Sequence, residues 1–420
     1  MNKINNKKTI ILKSLKMKKL VFSLALLSLV FTSCTSSDDD VVTTPPTATG
    51  DITGDITASK TYIKGTYALS GTVRVKSGAT LTFEAGSVVT ADASNGPDAL
   101  LVENGGKLNI AGTAAEPVVF TEKTKTAGSW GGIIMFGDAP IVSGKTADGT
   151  PITSATSEDG TNIVYGGTNA AHNGGSLKYV RVEYAGKKIL DGNSEMNGFS
   201  FYSVGSGTIL ENLVAYKGAD DGFEFYGGTV SAKNLISYGN TDDSFDWQDG
   251  WQGQANTNWY AYQTGAGNFG MEIEAKSVNN AFFPKVSNIT LRRAAGTATE
   301  SGNPTEIDAF QFKKEGNGEY SNVVISGYTN TVTSGTVTTN AVAVRIQDAA
   351  TNTNQVLTGK IKMLNVKIAD NNTSLWGAGA TTFTVAFLPA NFTTSTTATG
   401  AALTPGAWAI VDGVNLLGNL

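Results

Sequence analysis

Residues 207–250 open with Gly-Thr-Ile-Leu-Glu-Asn-Leu-Val-Ala-Tyr-Lys-Gly-Ala-Asp-Asp-Gly-Phe-Glu-Phe-Tyr-Gly-Gly and close with Asn234-Leu-Ile-Ser-Tyr-Gly-Asn-Thr-Asp-Asp-Ser-Phe-Asp-Trp-Gln-Asp-Gly250. The second part nearly repeats the first. Asn212, Tyr216, Asp220, Asp221, Phe223, Glu224 and Phe225 recur as Asn234, Tyr238, Asp242, Asp243, Phe245, Asp246 and Trp247, each at an offset of 22. A fixed period in this range, built from short apolar alternations between Gly-rich corners, marks a solenoid. Val, Ile, Tyr, Phe and Thr at alternate positions favour strands over helices. The predicted fold is all-β: a single-stranded parallel β-helix with about 22 residues per coil, right-handed because parallel crossovers almost always are.

The rhythm extends outward from this stretch. Upstream, Val73, Val75, Leu81 and Phe83 alternate between Gly71, Gly78 and Gly86, and Leu101, Leu108 and Ile110 continue the pattern. Residues 139–173 break it with Gly, Thr, Asp and Asn, which predicts a lateral insertion; His172, inside it, reads as a solvated loop residue. From Leu177 each coil opens on an Asn before an apolar alternation: Asn212, Asn234, Asn288, Asn322 and Asn365, with Tyr179 in the first such place. Stacked Asn side chains at one corner satisfy one another along a solenoid axis. The β-helix is predicted over residues 52–420, ending in a C-terminal cap.

The segment 1–33 holds seven of the 31 Lys and Arg and no acid; without it the basic count falls to 24 against 36 acids, a formal charge of −12. Such a charge argues against nucleic acid as a partner. Met17-Lys-Lys-Leu, an apolar run from Val21 to Phe31 and Thr32-Ser33-Cys34 form a basic, an apolar and a small-residue segment in order. That order predicts a signal peptide over residues 1–33, with Met17 a possible true start. The single Cys makes no internal disulfide. Its setting resembles a bacterial lipobox, which implies lipidation at Cys34 and a membrane anchor in the outer membrane, exposed at the cell surface. Thr35-Ser-Ser-Asp-Asp-Asp40 resembles the surface-export signal of Bacteroidetes lipoproteins. Residues 34–51, acidic and then rich in Pro and Thr, read as a tether.

Chemistry concentrates where the repeat is clearest. Phe199 and Phe201, Phe223 and Phe225, Phe245 and Trp247, Met271 and Ile273, and Phe310 and Phe312 alternate and form an inward column. The residues between them point outward: Ser200, Glu224, Asp246, Glu272 and Gln311. Neighbouring parallel strands lie about 4.8 Å apart. Carboxylates stacked that closely retain protons or share a cation. With Asp220, Asp221, Asp242 and Asp243 at the adjacent corner, the oxygen-only set suits Ca2+. Asp221 and Asp243 have a second reading as caps that accept backbone N–H bonds. Beside this patch, Trp251, Trp259 and Tyr260 lie among Gln and Asn in an extra loop, a composition suited to stacking on sugar rings, with a second reading in which the loop folds its Trp residues back onto the solenoid.

Asp242-Asp-Ser-Phe-Asp246, with Asp220 one coil earlier, resembles the calcium-binding set of family 9 pectate lyases. The resemblance is local rather than chain-wide, and it implies calcium on Asp220, Asp242, Asp243 and Asp246. It also implies a basic residue beside the metal, for which Lys276 is the local candidate. The Gly-His-Gly element of polygalacturonases is absent. Over most of its length the chain resembles uncharacterised Bacteroidetes β-helix surface lipoproteins. Three functions stay open: a surface lipoprotein that binds polysaccharide or another surface ligand with Ca2+, a calcium-dependent polysaccharide lyase, and a structural surface component.

Overall fold

The computed structural model describes residues 48–187, 196–278, 283–334, 337–370 and 374–420. The leader, Cys34 and most of the tether lie outside the described residues. The first described strand, Ala48–Ile56, pairs with Gly65–Val75.

The strands assemble into one long parallel sheet wound into a right-handed β-helix. Three columns of strands run along it. From Gly175–Glu183 onward the first two columns share one strand per coil, bent at a single residue. That residue is Tyr179, then Asn212, Asn234, Asn258, Asn288, Asn322 and Asn365, all with φ between 53° and 60°. Asn tolerates this left-handed conformation better than most residues, which is why it recurs here. The amides also form the expected ladder. Asn234 Nδ2 donates to Asn212 Oδ1 at 2.9 Å, Asn258 Nδ2 to Asn234 Oδ1 at 2.9 Å and Asn322 Nδ2 to Asn288 Oδ1 at 2.7 Å. Asn288 instead donates to Thr257 Oγ1 at 3.0 Å.

The third column contains Ile133–Phe136, Phe199–Tyr202, Phe223–Tyr226, Phe245–Gln248, Met271–Glu274, Phe310–Lys313, Val342–Ile346 and Ser374–Ala378 in successive register. Its inward aromatics stack as predicted: Phe199 on Phe223 at 5.0 Å and Phe223 on Phe245 at 5.6 Å between ring centroids. Each buried ring contributes roughly 2–3 kcal/mol. The repeat period holds only locally. Phe223 stands opposite Phe245, Phe245 opposite Met271, and Met271 opposite Phe310, so the coil length changes from each of these coils to the next. Strand register is set by the core, so extra residues leave as loops at the corners.

Residues 139–173 carry two antiparallel hairpins outside the main sheet, Gly144–Lys145 with Pro151–Ile152 and Ala155–Thr156 with Val164–Tyr165. Ile141 and Tyr165 pack on Phe136, Tyr202 and Tyr226 of the third column. His172 is not solvated. It is 5 % exposed, Gly205 N donates to its Nδ1 at 3.4 Å, and burial pushes its pKa down.

The C-terminus is more than an end cap. Trp376, Phe387 and Phe392 cluster at the last coil. The chain then runs back along the outside of the second column. Asn322 Oδ1 accepts from Thr399 N at 2.8 Å, Thr290 Oγ1 from Ala401 N at 2.9 Å and Asn258 Oδ1 from Ala402 N at 3.2 Å. Farther back, Arg181 donates to Ala407 O at 3.1 Å and Lys125 pairs with Asp412 at 2.5 Å. Leu403, Trp408, Val411 and Leu416 press onto Val214, Tyr216, Ile236 and Tyr260.

Candidate functional site

The outward residues of the third column align as read: Ser200 with Glu224, Asp246, Glu272, Gln311 and Arg345, each opposite the next. Around the middle of this row lies a trough of about 320 Å3. It is lined by Glu224, Asp246 and Glu272 from the strands and Asp220, Asp221, Asp242 and Asp243 from the corners. Glu158, Glu274 and Glu306 also line it, bringing the set to ten carboxylates against Lys276, Lys313 and Lys314, with no arginine among the described lining residues.

Two overlapping groups in the trough have carboxylate oxygens within 4.8 Å of one another: Asp220, Asp221 and Asp242, and Asp221, Glu224 and Asp246. Asp221 belongs to both. Asp243 and Glu272 belong to neither, and Glu272 accepts from Lys313 instead. The capping reading also holds. Asp221 Oδ1 accepts from Asp243 N at 2.8 Å, and Asp243 Oδ1 accepts from Phe269 N at 2.6 Å. One oxygen of each therefore serves the backbone of the next coil.

Burial, then Asp243, pushes the Asp221 pKa well up. Burial, then Glu224 and Glu272, does the same to Asp246, whose Oδ1 is shut off from solvent with no hydrogen-bond partner among the described residues. Glu224 accepts from Asn197 at 2.7 Å and Gln248 at 3.0 Å, yet burial and Glu158 push its pKa up to about 8. Burial and Glu272 push Glu306 up to about 7. Charge of one sign has been collected here and withdrawn from water, so the trough calls for protons or a cation.

Two coils beyond Asp243, Asp308 occupies the same corner place, just ahead of the inward Phe310, and caps Val342 N at 2.7 Å. There Arg345 supplies the countercharge, with Nε and Nη2 at 2.9 and 3.0 Å from its two oxygens. The corners of Asp221 and Asp243 have no such arginine among the described residues of the trough.

Lys276 lies in the trough, with Nζ 2.8 Å from Glu274 and 4.0 Å from Asp249. Burial works against its charge, but Glu274 and Asp249 outweigh it and hold the ammonium above its ordinary range. Lys313 is held up in the same way by Glu272 and Asp246 against its burial.

The aromatic platform is overturned. Trp251, Trp259 and Tyr260 are 1 %, 0 % and 0 % exposed. Residues 256–263 form a strand of the solenoid, not a loop, and Trp259 points inward in register with Leu235 and Ile289. Trp251 stacks on Phe225 at 4.6 Å and donates to Val230 O at 3.0 Å. Tyr260 points outward but lies in the cluster covered by the C-terminal segment. None presents a face to a sugar.

A pectate-lyase-like β-helix domain matches residues 50–410. The chain belongs to that family. The match spans all three columns and the trough, so the family's β-helix is the whole described body short of its C-terminal residues. No curated protein and no solved structure matches the chain.

Sequence reasoning overlooks Glu158, Glu306 and Lys313. Lys313 has a signal, since it follows Phe312 as Gln248 follows Trp247. Glu158 has none, because it reaches the trough from the insertion.

Proposed function

We propose that this β-helix binds a hard divalent cation of the Ca2+ class in the acidic trough and, through it, an anionic polysaccharide or similar surface ligand. The observation that carries this is the pair of carboxylate groups sharing Asp221. The Asp308–Arg345 corner supports it, because the same position two coils on is neutralised from within the chain. Oxygen-only donors fit Ca2+ better than a softer metal. Asp220, Asp221, Glu224, Asp242 and Asp246 would hold the ion.

Binding is favoured over lyase chemistry. A lyase needs a base with a free electron pair beside the cation, whereas Lys276 and Lys313 are both ion-paired and held protonated. Titration calorimetry of the mature chain with Ca2+ tests the reading. Asp246→Asn should remove most of the heat, whereas Asp221→Ala would also remove a backbone cap and confuse the result. Absence of binding heat in the wild type, with melting unchanged between Ca2+ and EDTA, would sink the cation site. Release of unsaturated products from a uronate polymer would restore the lyase reading. The proposed setting is the cell surface, on a lipid anchor at Cys34; Cys34→Ala should move the protein out of the membrane fraction.

A further inference from the structure

Glu158 comes from no coil of the solenoid. It sits between the hairpin strands Ala155–Thr156 and Val164–Tyr165, on an exposed turn, yet its carboxylate lines the trough. Gln248 Nε2 donates to Glu158 Oε1 at 3.2 Å and to Glu224 Oε1 at 3.0 Å. Tyr226 OH lies 2.9 Å from Glu158 Oε1 and also contacts Glu224 Oε2. A phenol has one proton and donates to one acceptor at a time. Two carboxylates meeting at one hydroxyl therefore need a retained proton or further positive charge beside them, and a cation in the trough would supply the latter.

The hairpin is held at a second point. Tyr165 OH donates to Asp249, and the Tyr165 ring meets Tyr202 edge-on at 5.0 Å and Tyr226 at 6.3 Å. Tyr202 and Tyr226 stack at 3.9 Å. In sequence this hairpin lies apart from the repeat, and tertiary packing brings it to the edge of the trough. Its strands are short, so few backbone bonds resist its opening.

We infer that the 155–165 hairpin is a latch on the trough: Glu158 completes the carboxylate set from outside the solenoid, and a bound cation tightens the insertion. The inference rests on the cation reading above. Hydrogen exchange of the 155–165 amides, measured in excess Ca2+ and in EDTA beside Ca2+ calorimetry, tests it. In the wild type, Ca2+ should slow exchange in this hairpin. Glu158→Gln, which keeps the shape of an exposed side chain, should lose that slowing and bind Ca2+ about tenfold more weakly. Tyr165→Phe keeps the ring packing and should speed hairpin exchange in both conditions. Wild-type affinity and intact Ca2+ protection in Glu158→Gln would overturn the latch while leaving the cation site standing. No Ca2+ heat in the wild type would overturn both.

Discussion

The second and third columns of this solenoid each present an outward row, and the chain treats the two rows in opposite ways. On the second column the row runs Val214, Ile236, Tyr260; on the third it runs Glu224, Asp246, Glu272. The apolar row is covered by the chain's own C-terminal segment through Leu403, Trp408 and Val411. The acidic row is left as a trough walled by corners and by the insertion hairpin. In a β-helix, pointing outward does not mean facing water. What lies over a row decides whether its residues behave as core, as surface or as a site, and the covering element comes from a distant part of the chain.

The sharpest break in this comparison is Trp408→Ala. Trp408 is 1 % exposed and packs edge-on against Tyr179 at 5.9 Å. Its truncation should cost about 3–5 kcal/mol, the usual loss for a buried Trp, read by denaturant unfolding. The calcium-dependent part of the stability should survive, because the two rows are separately covered. Loss of both together would mean that the tail also shapes the trough.

The acidic row should respond to ions and pH instead. Saturating Ca2+ at a hundredfold excess over its dissociation constant should stabilise the wild type by about 2.7 kcal/mol. Glu224 is held up to about 8 and Glu306 to about 7, so the folded chain binds more protons than the unfolded chain between the ordinary carboxylate range and those values. In EDTA, stability should therefore fall as pH rises through that window. Ca2+ should flatten the fall. A melting temperature in EDTA that rises from the ordinary carboxylate range to about pH 8 would contradict this sign.

On the far side of the apolar row, where the first and second columns meet, stands the Asn corner, which also holds the tail. Asn258→Ala should cost about 1–2 kcal/mol for the left-handed backbone alone, and more for the lost amide bonds to Asn234 and Ala402. Asn258→Gly should recover the backbone part. Equal losses in the two variants, measured by denaturant unfolding, would show that only the amide matters. The smallest effect is expected at Lys125–Asp412, where half-exposed side chains meet at the end of the tail. Asp412→Asn should cost under about 1 kcal/mol, and high salt should erase the difference.

Much of this protein can be read from residue order alone, because a parallel solenoid repeats its constraints. The inward aromatics, the outward carboxylate register and the Asn ladder follow from alternation and recurrence, since stacked coils turn equal sequence positions into neighbours. The reading fails where spacing drifts. The step from Asn234 to Asn258 is longer than the step from Asn212 to Asn234, so a fixed period leaves the strand of Asn258 as a loop and makes the core residue Trp259 an exposed platform. Contacts between segments far apart in sequence are out of its reach. The return of residues 395–412 along the Asn corner, the arrival of Glu158 at Glu224 and the pairing of Asp308 with Arg345 depend on how long loops fold back. Nothing periodic encodes those paths. Local rules decided which side each strand residue faces, and tertiary structure alone decided what it meets there.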